Sequence, residues 1–149
     1  MQAVSSRSYI SLARFREFPT GVDTESPVMR GFIHEMKLLQ QRKTRELWQR
    51  VIDKTLTSWL RNPSELEDDG IDAPSGAIIR LSLDLAESCM ESGLAPPDRI
   101  VPDPNGGIVF ERREGNVSEV LHVWDDGSVE YMKFDGAQLV DRGPFPVGN

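Results

Sequence analysis

A chain of 149 residues, with 38% hydrophobic and 28% charged residues, has the size and composition of one globular domain, which excludes a wholly disordered protein. The formal net charge is -7, and the single cysteine, Cys89, excludes an internal disulfide and a thiolate cluster within one chain. No apolar run approaches the roughly 20 residues that span a bilayer, so we expect no membrane segment and a cytoplasmic location.

Charge is divided unevenly along the chain. Residues 1–61 carry 11 Lys and Arg against 6 Asp and Glu, whereas residues 62–149 carry 6 against 18. Such a division indicates either that the two halves face each other or that each faces a different partner, and the sequence leaves both readings open.

Residues 1–31 lack sustained periodicity and contain several turn-forming residues, so we predict a disordered tail or a targeting-like segment. Residues 1–16 include three arginines, four serines and no acid, a composition typical of organelle-targeting peptides. Organelle targeting through residues 1–16 is therefore the minor alternative to a cytoplasmic protein with a disordered tail.

The apolar pattern becomes helical from Phe32, and no Pro or Gly interrupts it before Pro63. The pattern predicts a long amphipathic helix over 32–61. A long helix beside a small sheet can carry more apolar surface than the sheet buries. We therefore interpret this helix as a partner-facing or self-associating element, for a protein partner or a second copy of the chain. Its predicted anchors are Trp48, Val51, Ile52 and Trp59.

Residues 62–73 are acidic and bounded by Pro and Gly, which predicts a linker. A second helix is expected from about residue 74, capped by Asp72 or Ser75 and carrying an apolar stripe from Ile78 to Cys89. Gly93 is placed to end this helix in a left-handed conformation.

From residue 99 onward the apolar period shortens to that of strands. The runs "RIV", "GIVFERR", "VSEVLHVW", "SVEYMKF" and "AQLVD" are separated by turn sequences such as "DDG" and "DG". Connections this short cannot join parallel strands, so an antiparallel meander of four or five strands is predicted. The fold class is therefore α+β, with the second helix packed on the sheet in a domain over 74–149.

The hairpin "HVWDDGSVE" raises the question of a reactive site. The presence of aspartates beside glycine in this hairpin is explained by the turn, which favours Asp-Gly, without any reactive site. The alternative is a metal-assisted hydrolase, with His122, Asp126 and Glu130 as ligands. Cys89 lies on the predicted buried stripe and no Gly-x-Ser-x-Gly elbow occurs, so we predict no catalytic residues and no cofactor.

Basic residues in the first helix suggest a second alternative, a regulatory nucleic-acid-binding protein. The acids at Glu35 and Glu46 dilute the basic character of the segment, so a protein partner is favoured over nucleic acid. The residues that would contact phosphates are Lys37, Arg42, Lys43 and Arg45.

The stretch from Leu81 to Val140, with "GLAPPDRIVPDPNGGIVFE" and "VWDDGSVEYMKFDG", resembles the helix-plus-meander region of small uncharacterised bacterial proteins. The resemblance rests on turn residues and alternating apolar positions, and it implies the fold alone. The sequence as a whole predicts a non-enzymatic protein-interaction module that binds through the helix 32–61.

Overall fold

The computed structural model describes residues 26–67 and 70–146 of the chain. Its first element is the long helix α1 (Pro27–Ile52), which continues through a π-helical segment (Asp53–Thr57) into the short helix α2 (Ser58–Arg61). A 3-10 turn (Pro63–Leu66) leads to helix α3 (Gly76–Glu91). Five strands complete the fold: β1 (Arg99–Pro102), β2 (Ile108–Glu114), β3 (Val117–Val123), β4 (Val129–Asp135) and β5 (Gln138–Pro144).

Helix α1 begins five residues before the predicted start at Phe32. The hydroxyl of Ser26 accepts a hydrogen bond from the amide of Met29 at 3.0 Å, and Pro27 occupies the first turn. A Ser-Pro start satisfies a free helical amide and presets the first φ angle, so it initiates a helix without apolar periodicity. Residues 27–31, predicted as part of a tail, are therefore helical, and residues 1–25 of that segment lie outside the described residues.

Helix α3 has the boundaries that its sequence signals favour. Of the two predicted caps, Ser75 is used, because its hydroxyl accepts from the amide of Ile78 at 3.2 Å. At the other end Gly93 adopts a φ of 79°, and the amide of Leu94 bonds to the carbonyl of Cys89 at 3.1 Å. This backward hydrogen bond closes the last turn, as expected for a left-handed residue after a helix.

The strands form one sheet in the order β1-β2-β3-β4-β5, and every neighbouring pair is antiparallel. The loop between β3 and β4 shows why the strands reverse so tightly. Gly127 has a φ of 90°, and its amide bonds to the carbonyl of Trp124 at 2.9 Å. The α+β class, with a long helix and an antiparallel meander, is confirmed.

The core is one apolar cluster that joins residues of the first helical segment, α3 and one face of the sheet. Leu66, from the segment predicted as a linker, also belongs to this cluster. The indole Nε1 of Trp48 donates to the carbonyl of Leu94 at 2.8 Å, so α1 is tied to the loop after α3 by a hydrogen bond as well as by packing. Sheet side chains in the cluster alternate along their strands: Ile108, Phe110, Leu121, Val123, Val129 and Tyr131.

Candidate functional site

The amino-terminal part of α1 presents apolar side chains to solvent. Among the described residues, eight large hydrophobic side chains are exposed, and six of them belong to α1. The most exposed are Val28, Leu39 and Phe32, at 81%, 55% and 54%. Solvent-exposed apolar side chains are common singly, whereas a concentration on one element makes that element a candidate interaction surface.

Five of these six side chains lie on one side of the helix. At 100° per residue they fall within an arc of about 100°, which we call the apolar stripe: Val28, Phe32, Met36, Leu39 and Leu47. Trp48 and Ile52, in contrast, point into the core. Helix α1 therefore has two apolar faces: one is buried in the core of the protein, and the other is exposed to solvent.

The four anchors predicted from the sequence occupy the buried side. Trp48 and Ile52 are each 2% exposed, and Val51 and Trp59 are partly buried against the same cluster. Contact between Trp48 and a partner would require its indole to leave the Leu94 carbonyl and the core. The anchors predicted from the sequence begin at Trp48 and do not include the apolar stripe, although the spacing of positions 28, 32, 36 and 39 was readable.

The predicted phosphate-contacting residues Lys37, Arg42, Lys43 and Arg45 are all exposed. They do not converge, because their positions are distributed around the helix circumference. Arg42 and Arg45 lie beside the end of α3 at Met90–Gly93, whereas Lys43 faces the loop over 95–98.

A largely buried hydrogen-bonded pair, His122 and Asp103, lies at the loop between β1 and β2. Nε2 of His122, on β3, is 2.6 Å from Oδ2 of Asp103, and the two side chains are 14% and 10% exposed. The imidazole stacks on the indole of Trp124, with ring centroids 3.6 Å apart and planes inclined by 15°. Strand alternation places both rings on the face of the sheet opposite the core.

Backbone amides complete the surroundings of the Asp103 carboxylate. Burial raises the pKa of Asp103, but hydrogen bonds from His122 and from the amides of Asn105 and Gly107 outweigh it, so the pKa lies below its usual value. The backbone amide of Asp103 also donates to the Gly107 carbonyl at 2.9 Å. Asp103 therefore fixes the loop conformation through both its side chain and its main chain. Nothing in the local sequence around "DPNGG" connects this loop with His122, because the two are brought together only by the pairing of the strands.

The three side chains of the metal hypothesis each have a different partner. His122 pairs with Asp103, the carboxylate of Asp126 accepts from the hydroxyl and amide of Ser128, and Glu130 pairs with Arg142. The Ser128 hydroxyl and then its amide lower the pKa of Asp126. No group of three or more potential ligands is found among the residues that the structure describes. The hairpin carboxylate of Asp126 thus stabilises its own turn.

Cys89 is buried in the core, where burial raises the pKa of its thiol to about 12. A thiol with this pKa is protonated at neutral pH, and the thiolate is the nucleophilic form. Cys89 therefore acts as a small core hydrophobe.

No helix within residues 26–67 or 70–146 has the length and apolar character needed to cross a bilayer. No family model, curated protein or solved structure matches the chain. Function is therefore inferred from the geometry of these surfaces.

Proposed function

We propose that this protein is a non-enzymatic protein-interaction module that binds its partner through the apolar stripe of α1. The observation that carries the proposal is the concentration of exposed apolar side chains on this one helix. Burying a Phe, Met or Leu side chain contributes about 1.5–3 kcal/mol each. Contacts of three or four such residues are sufficient for a specific helix-in-groove complex.

The charge of α1 favours an acidic partner over a second copy of the same helix. Within residues 27–52 there are six Lys and Arg but two acids. Two copies of this helix side by side would bring like charges together, which opposes association at low ionic strength. The partner that fits is a protein with an apolar groove rimmed by Asp and Glu.

In this proposal the remainder of the fold holds α1 in position for binding. Residues of α3 and of the sheet share one apolar core with Trp48 and Ile52 of α1, and the Trp48 indole also donates to the Leu94 carbonyl. The exposed apolar side chains of the amino-terminal turns then enter the groove of the partner. Preorganisation of a binding helix lowers the entropic cost of association.

The test is affinity capture with the full chain, followed by a two-component titration of the captured protein after its purification. The diagnostic variant is Phe32→Ser/Leu39→Ser, which removes two members of the apolar stripe. The matched control is Leu139→Ser/Val140→Ser, which makes the same kind of substitution at two exposed apolar residues of β5. Loss of two anchors should weaken binding by about tenfold or more.

Equal binding of the purified partner by the wild type and the Phe32→Ser/Leu39→Ser variant would contradict the proposal. So would a partner without an acidic binding surface, or binding that strengthens with added salt. Sedimentation at low and high salt tests self-association directly, and a salt-independent dimer lost in the diagnostic variant would identify a second copy as the occupant.

Nucleic acid is the second candidate ligand for α1, favoured by the exposure of all four predicted basic residues. It predicts an affinity that falls steeply with salt concentration and is weakened by Arg42→Gln/Arg45→Gln. Absence of any DNA or RNA shift at low ionic strength would remove this candidate.

A further inference from the structure

An open cleft lies between α1 and the loop that follows α3. Its volume is about 530 Å³, within the range of roughly 300–1,000 Å³ typical of small-molecule sites. Basic and apolar side chains form the helical wall, and prolines form the opposite one. The residues that matter here are Lys43, Leu47, Arg50 and Lys54 on the helical side, and Pro96 and Pro97 on the loop.

The three cations of the helical wall lie at positions 43, 50 and 54, and all three line this cleft. None of these three side chains forms an ion pair with an acid among the described residues. Three cationic groups on one wall of a concave site favour an anion with more than one charge.

Two further charged residues, Asp98 and Arg112, line the cleft, and because their charges are opposite they leave its net positive charge unchanged. The carboxylate of Asp98 accepts a hydrogen bond from the backbone amide of Arg113 at 2.6 Å, which directs it to β2. Arg112 lies 3.7 Å from Glu114 and adds a cation at the edge of the cleft.

The loop wall is apolar and held in place. Pro96 and Pro97 have no amide hydrogens and restricted φ angles, so this wall offers rings and no backbone donors. The carbonyl of Leu94, two residues before Pro96, accepts the Trp48 indole hydrogen bond at 2.8 Å. Leu47 and Val51 face the same space from the helix. The cleft thus combines a fixed apolar wall with a basic one.

We infer that this cleft binds a small organic phosphate ester, with its phosphate between Arg50 and Lys54 and its apolar body against Pro96, Pro97 and Leu47. Arginine and lysine are suited to phosphate oxygens, the former through paired N–H donors. The cleft shares Leu47 with the apolar stripe, but the inference does not depend on Phe32 or Leu39, the two residues that test the proposed protein-binding function.

The experiment is isothermal titration of the full chain with 1-naphthyl phosphate, inorganic phosphate and 1-naphthol as probes. The diagnostic variant is Arg50→Gln/Lys54→Gln. The matched control is Arg42→Gln/Arg45→Gln, which removes the same charge from the same helix outside this cleft. Phe32→Ser/Leu39→Ser serves as a second control, since it should retain the binding of 1-naphthyl phosphate whether or not the protein-binding proposal holds.

We expect 1-naphthyl phosphate to bind more tightly than either of the other probes. Its affinity should fall about tenfold or more in Arg50→Gln/Lys54→Gln and change by less than about threefold in the control. Three outcomes would overturn the inference: no binding of 1-naphthyl phosphate, equal loss in both double variants, or inorganic phosphate binding as tightly as the ester. Equal loss would mean general attraction to the basic helix.

Discussion

Nε2 of His122 and Oδ2 of Asp103 are 2.6 Å apart, and their contact ties the β1–β2 loop to strand β3. The two residues are 19 positions apart in the chain. Because the Asp103 carboxylate also accepts from loop amides, one buried acid organises both the turn and its attachment to the sheet.

Asp103→Asn should lower the free energy of unfolding by about 1.5–3 kcal/mol, because it removes a charge-assisted hydrogen bond from a buried site. Urea denaturation at pH 7 measures the effect. Asp84→Asn, an exposed position on α3, is the control and should change stability by less than about 0.5 kcal/mol. An Asp103→Asn protein as stable as the control variant would show that the pair contributes nothing.

The stability conferred by Asp103 should depend on pH in acid. Its folded-state pKa lies below the ordinary value of 3.8, so the folded state binds this proton less readily than the unfolded state. The contribution is fully present above the unfolded pKa and is lost as the pH falls through the folded pKa. Denaturation curves from pH 6 down to pH 2 should therefore converge for the wild type and Asp103→Asn, and parallel pH profiles would contradict this assignment.

Gly107→Ala should destabilise the protein by about 2–3 kcal/mol, as expected for overpacking at a rigid site. A Cβ at this position would lie 2.5 Å from Oδ2 of Asp103 and 2.5 Å from the backbone carbonyl oxygen of Val123. Gly76→Ala is the control, since its Cβ would meet no atom within 4 Å. Thermal unfolding of both variants tests the prediction, which fails if the two midpoints shift equally.

Trp48→Phe should lower stability by about 1–2 kcal/mol, because the Leu94 carbonyl loses its donor while most of the aromatic packing is retained. The loop after α3 should become more mobile, and faster amide exchange at Leu94 and Ala95 reports that change. Trp59→Phe is the matched control, with a partly buried side chain. Unchanged exchange in Trp48→Phe would exclude a role for the 2.8 Å hydrogen bond in holding the loop.

Ser82→Ala should raise the free energy of unfolding by about 0.5–1.5 kcal/mol. Ser82 is 0% exposed, and its hydroxyl oxygen has no hydrogen-bond partner among the described residues. Alanine removes the buried hydroxyl and has the higher helix propensity, so both effects act in the same direction. Ser88→Ala, at an exposed position of α3, shows the propensity effect alone. Destabilisation by Ser82→Ala would indicate that a bound water satisfies the hydroxyl.

The local elements were accessible from the sequence because their causes are local. Gly93, after the apolar residues from Ile78 to Cys89, predicted the end of α3. Asp-Gly turns between runs of alternating apolar residues predicted antiparallel strands. The start of α1 was displaced, because a Ser-Pro cap acts without apolar periodicity. The π-helical segment over 53–57 follows no signal that we recognised.

The sequence by itself determined the α+β class, the meander and the absence of a familiar nucleophile motif, since each depends on residue type and short spacing. Only the tertiary structure decided which apolar residues of the first helix are core and which are exposed, because periodicity shows that a helix has an apolar face and not what covers it. Trp48 is enclosed by its own fold, whereas Phe32 is left in solvent. The pairing of His122 with Asp103 and the cleft between Arg50 and Pro97 likewise arise where distant segments meet, and the distance between such segments is set by packing.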